Sequence, residues 1–516
     1  MYIQRYSKDW LTPARLDTDH YNPDAIEAIK KIQTIGEYET FASSGLTWGF
    51  GAYELCNQIV EDESPNAPGF IKIGDLTPPF IDESSVMSVT LNTHQILNIA
   101  RVEAGDVIVS IAGTIGASAI IPESNRLYSA NQAIVKYRAN DKIFNNYYVV
   151  AYTLSVHFQL IATREAGGAV QKNLYLYNFD TIPIPKIEAL AQKYIGDKVR
   201  QAERLRAWAK VLDNQITNFH LKFIPSQEQL NLSKKTRMVS SRKLTERLDA
   251  HFYPGVVDEY LQADGVEVKE LGLISMSLFN GQTQDETDST LFCMQITVTN
   301  LSKYFVKGEP RNVIPPNKFD RFVKKHDLLI CNAAHNKSYI GREISYVHGE
   351  KKWLPSTEVM VIRIDRKKIP ASFVRTYLLT KLGFLQIQST IRGITAHSYP
   401  GDVKTLDIVI PNVPQQSQEG WFDCDNLMSK AGLAHEVATY LTTCAKYLIE
   451  ALIESNLTET QLIQAQQALE SGDNTLDRQI LSRLKTDGFD GEDESLFPDL
   501  DQLYDLLKQA EEALSA

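Results

Sequence analysis

Three short stretches of the chain contain residue types that enzymes use, and each lacks part of what its chemistry requires. Thr77-Pro78-Pro79-Phe80 has the Pro-Pro-aromatic part of an amino methyltransferase loop, but a threonine stands where an Asn or Asp must accept from the amine. Gly113-Thr114-Ile115-Gly116 is too short for a phosphate loop and lacks the Gly-Lys-Ser/Thr ending. Glu267-Val268-Lys269 matches only the end of a nuclease motif. We therefore predict no catalytic residue, no metal ligand and no bound cofactor.

A pattern of four residues with fixed spacing occurs twice in the chain. Arg15-Leu16-Asp17 is followed by Tyr21, and Arg247-Leu248-Asp249 is followed by Tyr253. A match this short can arise by coincidence, so its meaning depends on the residues that follow each copy.

The segments downstream of the two copies have the same order of predicted elements. Each half has a β-branched strand candidate, a second strand candidate, a helical segment, a glycine-bearing turn and an apolar strand that ends in proline. In the first half these five elements are residues 105–113, 132–138, 146–163, 167–172 and 182–185. In the second half they are residues 326–334, 358–364, 372–389, 392–397 and 408–411. The chain is therefore predicted to contain two diverged copies of one unit.

A long amphipathic helix is predicted after each half, with apolar residues at alternating spacings of three and four, as in a coiled-coil seam. The residues predicted to pair are Ala202, Leu205, Ala209, Leu212, Ile216 and Phe219 in the first helix, and Leu433, Val437, Tyr440, Cys444, Tyr447 and Ala451 in the second. The first helix, residues 188–220, would span about 50 Å, which is longer than a compact domain needs. One such helix could pack on its own domain alone, but two equivalent helices favour packing against each other.

The last sixty or so residues are predicted to form a tail of helices. Thr458 and Gln461 fit a capping box, Ser471-Gly472 ends that helix, and Pro498 precedes a last, acidic helix. This acidic helix either docks on a basic partner or is only solvated.

The composition is that of a globular protein, with 43% hydrophobic and 23% charged residues among 516. No apolar run approaches the roughly 20 residues of a membrane span, and the N-terminus lacks the apolar core of a signal peptide. A cytoplasmic location is therefore expected. The five cysteines form no Cys-x-x-Cys pair, which argues against zinc and against a disulfide framework.

The net charge of −11 is unevenly distributed along the chain. Residues 486–516 carry a net −9, so the other 485 residues carry only −2. Residues 186–243 carry a net +8, and residues 303–381 carry a net +10. Basic regions of this size are typical of surfaces that bind phosphate, although they can also be simply solvated.

The chain has two copies of Arg-Leu-Asp-x-x-x-Tyr, and each copy leads to a domain that ends in an Ile-Pro strand and is followed by a long helix. This arrangement resembles the specificity (S) subunit of type I restriction-modification enzymes. The resemblance covers the chain to about residue 456, and the duplicated order of elements is its specific part. The second copy has Ile410-Pro411-Asn412-Val413-Pro414 where the first has Ile184-Pro185-Lys186-Ile187, which leaves the start of its helix open.

The resemblance implies an α+β fold with two repeated mixed α/β target recognition domains. Long helices that form an antiparallel coiled coil would separate them, and a small helical tail would follow. The implied boundaries are 1–185 for the first recognition domain with its N-terminal arm, 186–243 for the central helix and linker, 244–412 for the second domain, 413–456 for the distal helix and 457–516 for the acidic tail.

The resemblance also implies a non-catalytic subunit that binds double-stranded DNA, each domain reading one half of a bipartite site. The helices would space the domains and dock two methyltransferase (modification) subunits, and ATP-dependent restriction subunits would be further partners. Methyl donor and ATP would belong to those partners.

Side chains with donors and acceptors on turns are the candidates for contacts to base edges. They are Thr114, Gln171, Lys172 and Asn173 in the first domain, and Asn332, His335, Asn336, Lys337, Arg392 and His397 in the second. The residues expected to contact phosphate are Lys234, Lys235, Arg237, Arg242 and Lys243.

Two other functions remain open on the sequence alone. The chain could be a standalone DNA methyltransferase or nuclease with unrecognised motifs, which a methyl-donor binding assay would reveal. It could also be the recognition subunit of another phage-defence system, which neighbouring genes would distinguish.

Overall fold

The computed structural model describes residues 15, 17–47, 58–62, 64, 66–168, 171–224, 244, 246–247, 249–253, 267–318, 320–414 and 417–515. The chain divides into two compact units: unit 1 comprises residues 1–205 and 437–516, and unit 2 comprises residues 206–436. Each unit contains one of the two repeats and part of each long helix.

The repeat in unit 1 consists of short strands and short helices. Its helices are α1 (Pro23–Ile35), α2 (Phe41–Ser44), α3 (Leu91–Ile96), α4 (Asn146–Leu154) and α5 (Val156–Glu165), and the long helix α6 (Ala189–Leu221) begins in this unit. Its strands are β1 (Tyr38–Thr40), β2 (Leu46–Thr47), β3 (Gly69–Ile71), β4 (Leu76–Thr77), β5 (Phe80–Ile81), β6 (Met87–Ser88), β7 (Arg101–Val102), β8 (Val107–Ser110), β9 (Ser118–Ile120), β10 (Tyr128–Ala130), β11 (Ile134–Tyr137) and β12 (Pro183–Pro185).

The sheets of unit 1 pair strands that are distant in sequence. One sheet has the order β2-β11-β8-β9, a second has the order β6-β3-β10-β7, and β1 pairs with β12. The apolar run of β8 is fully buried, in agreement with its β-branched sequence. The antiparallel β1 and β12 pair residues on either side of the repeat, so its entry and exit are held together.

The repeat in unit 2 shares its main strands and helices, in the same order, with the repeat in unit 1, but the minor elements differ. Its helices are α7 (Leu271–Ile274), α8 (Ala371–Leu379), α9 (Lys381–Ser389) and α10 (Pro400–Val403), and a second long helix, α11 (Gln418–Ile453), begins here. Its strands are β13 (Glu267–Glu270), β14 (Ser275–Asn280), β15 (Cys293–Ile296), β16 (Arg311–Val313), β17 (Leu328–Cys331), β18 (Ala333–Ala334), β19 (Ile344–Tyr346), β20 (Trp353–Pro355), β21 (Val359–Ile364), β22 (Ala396–His397) and β23 (Asp407–Ile410).

The sheets of unit 2 repeat the pairings of unit 1. The sheet β14-β21-β17-β19 corresponds to β2-β11-β8-β9, and β13 pairs with β23 as β1 pairs with β12. The sheet β16-β15-β20 corresponds to β6-β3-β10, and β15 pairs in parallel with β20 as β3 does with β10. The mixed α+β class expected from the sequence is therefore confirmed.

Each helical segment predicted between the second strand and the glycine turn is two helices rather than one. The hydroxyl of Ser155 accepts from Phe158 N at 3.2 Å and begins α5, and the hydroxyl of Thr380 accepts from Gly383 N at 3.2 Å and begins α9. A Ser or Thr side chain that bonds the backbone in this way starts a new helix instead of continuing the previous one.

In unit 2 the two long helices run antiparallel. Arg206 of α6 interacts electrostatically with His435 of α11, whereas Phe219, farther along α6, approaches Gly420, which lies earlier in α11. His220 also packs edge-on against Trp421, with ring centroids 5.1 Å apart. In unit 1, the two helices are also adjacent, because the charge of Lys198 in α6 acts electrostatically on Cys444 in α11.

The predicted pairing residues of the two helices differ in burial. In α6 five of the six are buried, and Phe219 is partly exposed. In α11 Val437, Cys444 and Ala451 are buried, whereas Leu433, Tyr440 and Tyr447 are only partly buried. The more deeply buried line of α11 lies one residue later: Ala434, Leu441 and Leu448.

The tail of unit 1 contains three helices and a hairpin: α12 (Glu459–Glu470), α13 (Thr475–Ser482), β24 (Leu484–Lys485), β25 (Gly488–Phe489) and α14 (Leu500–Ser515). The predicted capping box is present, since Thr458 N donates to Gln461 Oε1 at 2.9 Å and Gln461 N donates to the Thr458 hydroxyl at 3.3 Å. The tail packs on α11, where Tyr447 OH donates to Thr486 O at 2.8 Å.

Among the helices of the described residues, we find none with both the length and the apolar character needed to cross a membrane.

Candidate nucleic-acid interface

In unit 1 two segments that are distant in sequence lie side by side. The strand-exit segment, residues 111–116, follows β8, and the glycine turn, residues 167–173, follows α5; residues 169 and 170 lie outside the described residues. Leu174 N donates to Ile111 O at 2.8 Å, and Ala112 pairs with Asn173 in an antiparallel bridge. The predicted base-contacting residues of unit 1 therefore lie on adjoining segments.

Unit 2 brings the equivalent segments together in the same way. Its strand-exit segment, residues 332–337, follows β17, and its glycine turn, residues 392–397, follows α9. Ser398 N donates to Asn332 O at 2.8 Å, as Leu174 N does to Ile111 O in unit 1, and β18 pairs with β22. The two units thus present the same pair of segments.

The base of each glycine turn is closed by two backbone hydrogen bonds. In unit 1 Gly167 and Asn173 exchange bonds of 2.9 and 2.7 Å, and in unit 2 Arg392 and His397 exchange bonds of 2.9 and 3.1 Å. The turn of unit 2 is one residue shorter between these partners. Gly393 has a φ of +87°, a backbone conformation that residues with a Cβ rarely adopt, so this position favours glycine.

In unit 1 the predicted residues are accessible at this surface. Thr114, Gln171 and Lys172 are exposed, and Asn173 is partly exposed. The Lys172 ammonium forms an ion pair with Asp19, and the Asn173 amide donates to Gln171 O at 3.2 Å. These contacts are local and leave the side chains at the surface.

In unit 2 one predicted residue is not accessible. Asn332 is 3% exposed, and its amide donates to Thr357 O at 3.1 Å. Its side chain is therefore engaged inside the unit, next to the turn between β20 and β21. His335, Asn336 and Lys337 are exposed, and Asn336 Oδ1 accepts from Ser338 N at 3.0 Å.

Arg392 is held at the surface by two neighbours. Its guanidinium lies 4.4 Å from the ring centroid of Tyr399, and its Nε lies 3.3 Å from Asp402 Oδ2. Its side chain remains 48% exposed. His397, which is partly exposed, stacks on Tyr399 with centroids 6.1 Å apart.

The sequence interpretation missed three tyrosines and an isoleucine. Tyr175 and Tyr399 occupy equivalent positions two residues after each glycine turn closes, and both are exposed. Tyr175 also stacks on the exposed Tyr177, with centroids 5.5 Å apart. Ile394 is fully exposed at the tip of the second turn. The recurrence of a tyrosine after each turn was the available signal, since exposed aromatic rings can stack on bases or sugars.

The arginine of each Arg-Leu-Asp-x-x-x-Tyr copy contacts the backbone just before the glycine turn of its own unit. Arg15 Nε and Nη2 donate to the two carboxylate oxygens of Asp17 at 2.7 and 3.0 Å, and Tyr21 OH donates to Arg15 O at 2.8 Å. Arg247 Nε and Nη2 donate to Asp249 at 2.9 and 2.7 Å, and Tyr253 OH donates to Arg247 O at 2.7 Å. We call each of these three-residue groups a latch.

The hydrogen bonds of the latches lower the pKa of their carboxyl groups. The bond from Arg15 lowers the pKa of Asp17 to about 2, and the bond from Arg247 lowers the pKa of Asp249. Both carboxylates are therefore charged at neutral pH and form charge-assisted forks.

The described residues offer no group of three or more His, Cys, Asp or Glu side chains that could hold a metal ion. The predicted phosphate-contacting residues, Lys234, Lys235, Arg237, Arg242 and Lys243, lie outside the described residues.

One family model matches part of the chain. The model of the type I restriction modification DNA specificity domain matches residues 63–218, which include both segments of unit 1. No curated protein matches the chain.

Solved structures of similar length were also found. The S subunit of a type I restriction-modification system from M. genitalium is 12% identical, covers 83% of this chain and 95% of its own, and has a TM-score of 0.37. The HsdS subunit from Thermoanaerobacter tengcongensis is 13% identical, covers 82% and 97%, and has a TM-score of 0.26. A structure concerning assembly and conformational transition of the type I R-M system is 13% identical, covers 82% and 98%, and has a TM-score of 0.27.

Proposed function

We propose that this chain, whose residues 63–218 match the type I restriction modification DNA specificity domain, is a specificity subunit that reads a bipartite site in double-stranded DNA. Each unit reads one half of the site. The chain itself is non-catalytic, and methyl transfer and ATP-dependent cleavage reside in partner subunits.

The recurrence of one surface in both units carries this proposal. The strand-exit segment and the glycine turn are joined by equivalent backbone hydrogen bonds in unit 1 and unit 2. The backbone pairs are conserved between the repeats, but the side chains they display differ, with Gln171, Lys172 and Asn173 in one and Arg392 and His397 in the other. A common frame with different donors and acceptors suits two half-sites of different sequence.

The side chains proposed to contact bases are those that remain accessible. They are Thr114, Gln171, Lys172 and Asn173 in unit 1, and His335, Asn336, Lys337, Arg392 and His397 in unit 2. Asn332 is left out because its amide is buried and bonded to Thr357 O. Tyr175 and Tyr399 join the set as exposed rings beside the turns.

The long helices are proposed to space the recognition domains and to dock two methyltransferase subunits, with restriction subunits as further partners. Each helix begins in one unit and ends in the other. Side chains of each repeat contact the helices within their own unit: Tyr147 OH donates to Glu203 Oε2 at 2.7 Å in unit 1, and Arg375 Nη1 donates to Asp213 Oδ1 at 3.0 Å in unit 2.

Assembly with a methyltransferase partner tests this proposal directly. The purified chain is expected to transfer no methyl group and to cleave no DNA, and to bind DNA sequence-specifically once the methyltransferase subunit is added. Methyl transfer is followed with labelled donor, and binding with a duplex that carries the site found by mapping methylated positions in the host genome. Sustained turnover by the isolated chain would instead establish a standalone methyltransferase or nuclease.

Arg392→Ala is expected to weaken reading of one half-site only. A bidentate arginine contact to a base contributes about 1–3 kcal/mol of discrimination against the wrong bases. The variant should lose discrimination of that size at a single base position of one half-site. The measurement is competition binding by the assembled complex with every single-base variant of the site.

Lys367→Ala is the control for that substitution, because it removes an exposed cation of unit 2 beyond the opposite end of β21. It should leave both half-sites unchanged. If Arg392→Ala altered both halves equally, the assignment of one unit to each half would be wrong.

A further inference from the structure

The two latches contact equivalent backbone positions immediately before the glycine turns. Arg15 Nη1 donates to Glu165 O at 2.9 Å, two residues before Gly167, the first residue of the closing backbone pair in unit 1. Arg247 Nη1 donates to Thr390 O at 2.9 Å, two residues before Arg392, the first residue of the closing pair in unit 2. The same donor atom thus bonds the same carbonyl in both repeats.

These carbonyls need a donor because they lie at a helix end. The last carbonyl groups of a helix have no partner within the helix, and α5 ends at Glu165 as α9 ends at Ser389. In unit 1 the arginine also donates to Arg164 O at 3.2 Å and to Ala166 O at 3.0 Å. A guanidinium held by its carboxylate in a rigid fork therefore fixes where the chain leaves the helix and enters the turn.

The latch itself in unit 2, and the segment that carries the latch in unit 1, are also connected to the cation that the glycine turn displays. In unit 2 Arg247 Nη1 lies 3.1 Å from Asp402 Oδ2, and the same oxygen lies 3.3 Å from Arg392 Nε. In unit 1 Asp19, which lies between Asp17 and Tyr21 of the latch, forms an ion pair with Lys172. The latch region therefore orients both the backbone of the turn and its basic side chain.

We propose that Arg15 and Arg247 are positioning residues for DNA recognition: each sets the glycine turn of its own unit, and Arg247 also sets the basic side chain of its turn through Asp402. This inference rests on the proposed function, because it concerns the same surfaces. Neither arginine needs to touch DNA. A displacement of about half an ångström is enough to impair a recognition contact.

The test uses the full chain assembled with its methyltransferase subunit and three duplexes: the complete site, and the site with either half scrambled. Arg247→Gln is expected to reduce discrimination of one half-site about tenfold, a loss of about 1.4 kcal/mol, and to leave the other half within about twofold. Arg15→Gln should affect the opposite half. Arg247→Lys should also lose discrimination, because an ammonium cannot form the fork with Asp249 while bonding Thr390 O.

Two arginines that bond helix or loop carbonyls elsewhere are matched controls. Arg101 donates to His94 O at 3.1 Å and to Gln95 O at 2.9 Å in unit 1, and Arg321 donates to Asn280 O at 3.0 Å and to Gly281 O at 3.2 Å in unit 2. Arg101→Gln and Arg321→Gln should leave the ratio between half-sites unchanged. A general loss of stability would lower binding without changing that ratio.

Milder variants keep the test decisive if an arginine variant does not fold. Tyr21→Phe and Tyr253→Phe each remove one hydroxyl, and each should speed amide hydrogen exchange in its own glycine turn and reduce discrimination of the matching half. Unchanged discrimination in all latch variants, or equal loss at both halves, overturns the inference. Absence of discrimination by the wild-type complex overturns the proposed function instead.

Discussion

Replacement of Asp477 by alanine is expected to destabilise unit 1 by about 3–5 kcal/mol, because it leaves a buried ammonium without its carboxylate. Asp477 is 2% exposed, and its Oδ1 accepts from Lys198 Nζ and Tyr194 OH, both at 2.6 Å. Its Oδ2 accepts from Tyr504 OH at 2.5 Å. These bonds connect α13 with α6 and α14, so one carboxylate joins the tail to the long helix.

Denaturant unfolding of the purified chain measures this loss, and two variants define its origin. Asp501→Ala breaks an ion pair with Arg478 in which the carboxylate is 87% exposed, and such surface pairs contribute about 1 kcal/mol or less. The double variant Lys198→Met with Asp477→Leu should recover part of the lost stability, since apolar residues can replace the buried ion pair but not the acceptor of the two tyrosine hydroxyls. A double variant as unstable as Asp477→Ala would contradict the assignment to the uncompensated charge.

The same carboxylate predicts a pH dependence of stability. Burial acts to raise the pKa of Asp477, but the charge and hydrogen bond of Lys198, with the hydroxyls of Tyr194 and Tyr504, outweigh burial and leave the pKa below its ordinary value. A lowered folded pKa stabilises the unit above the unfolded pKa of about 4 and loses that stabilisation as pH falls. The stability difference between wild type and Asp477→Asn should therefore shrink below about pH 4.

These contacts also show that the tail is a folded part of unit 1. The sequence left open whether its acidic helix docks on a basic partner or is only solvated. Leu503, Leu506 and Ala510 of α14 are buried, and the ring of Phe497 packs edge-on against Tyr440 of α11 at 6.2 Å. One face of the acidic helix therefore packs within its own unit.

The parts of the fold that follow a local pattern could be predicted from the sequence. Five elements of each repeat were predicted in their order along the chain, because β-branched runs, helical spacing and turn residues recur in both halves. The helix breaks at Ser155 and Thr380 were not predicted. The apolar residues keep their helical spacing across each break, and only the hydrogen bond to the capping hydroxyl ends one helix and begins the next. Among the pairing residues predicted in α11, Tyr440 and Tyr447 are only partly buried and contact the tail, which the helical spacing alone did not indicate.

In the candidate site, too, features set by neighbouring residues could be predicted, whereas features set by residues distant in sequence could not. Turn residues such as Lys172 and Arg392 were identified by type, and the structure brings their turns beside the strand-exit segments. The burial of Asn332 depends on Thr357, which is distant in sequence, and was not accessible from the local pattern. The repeated Arg, Asp and Tyr were found by spacing alone, and only the structure relates them to the turns.

Lengthening both long helices is expected to change the DNA site that the assembled enzyme methylates. Four helix-forming residues inserted after Leu205 and four inserted before Val437, where each helix passes from one unit to the other, add about 6 Å of rise to each. Both helices must be extended, because the two run antiparallel in unit 2 and a single insertion would displace their contacts. B-DNA rises about 3.4 Å per base pair, so the unspecific spacer should lengthen by roughly one or two base pairs.

The half-sites themselves should stay unchanged in the extended enzyme, because no glycine turn or latch has moved within its own unit. Methylome sequencing of a strain that carries the insertions reports the spacer and both half-sites in one experiment, and methylation at the original site should disappear. Four residues inserted after Asp141, which lies in an exposed turn of unit 1, are the control and should leave the spacer as it was. An active enzyme that keeps the original spacer despite the longer helices would show that the helices do not set the distance between half-sites, whereas altered half-sites would mean that the insertion had disturbed the recognition surfaces.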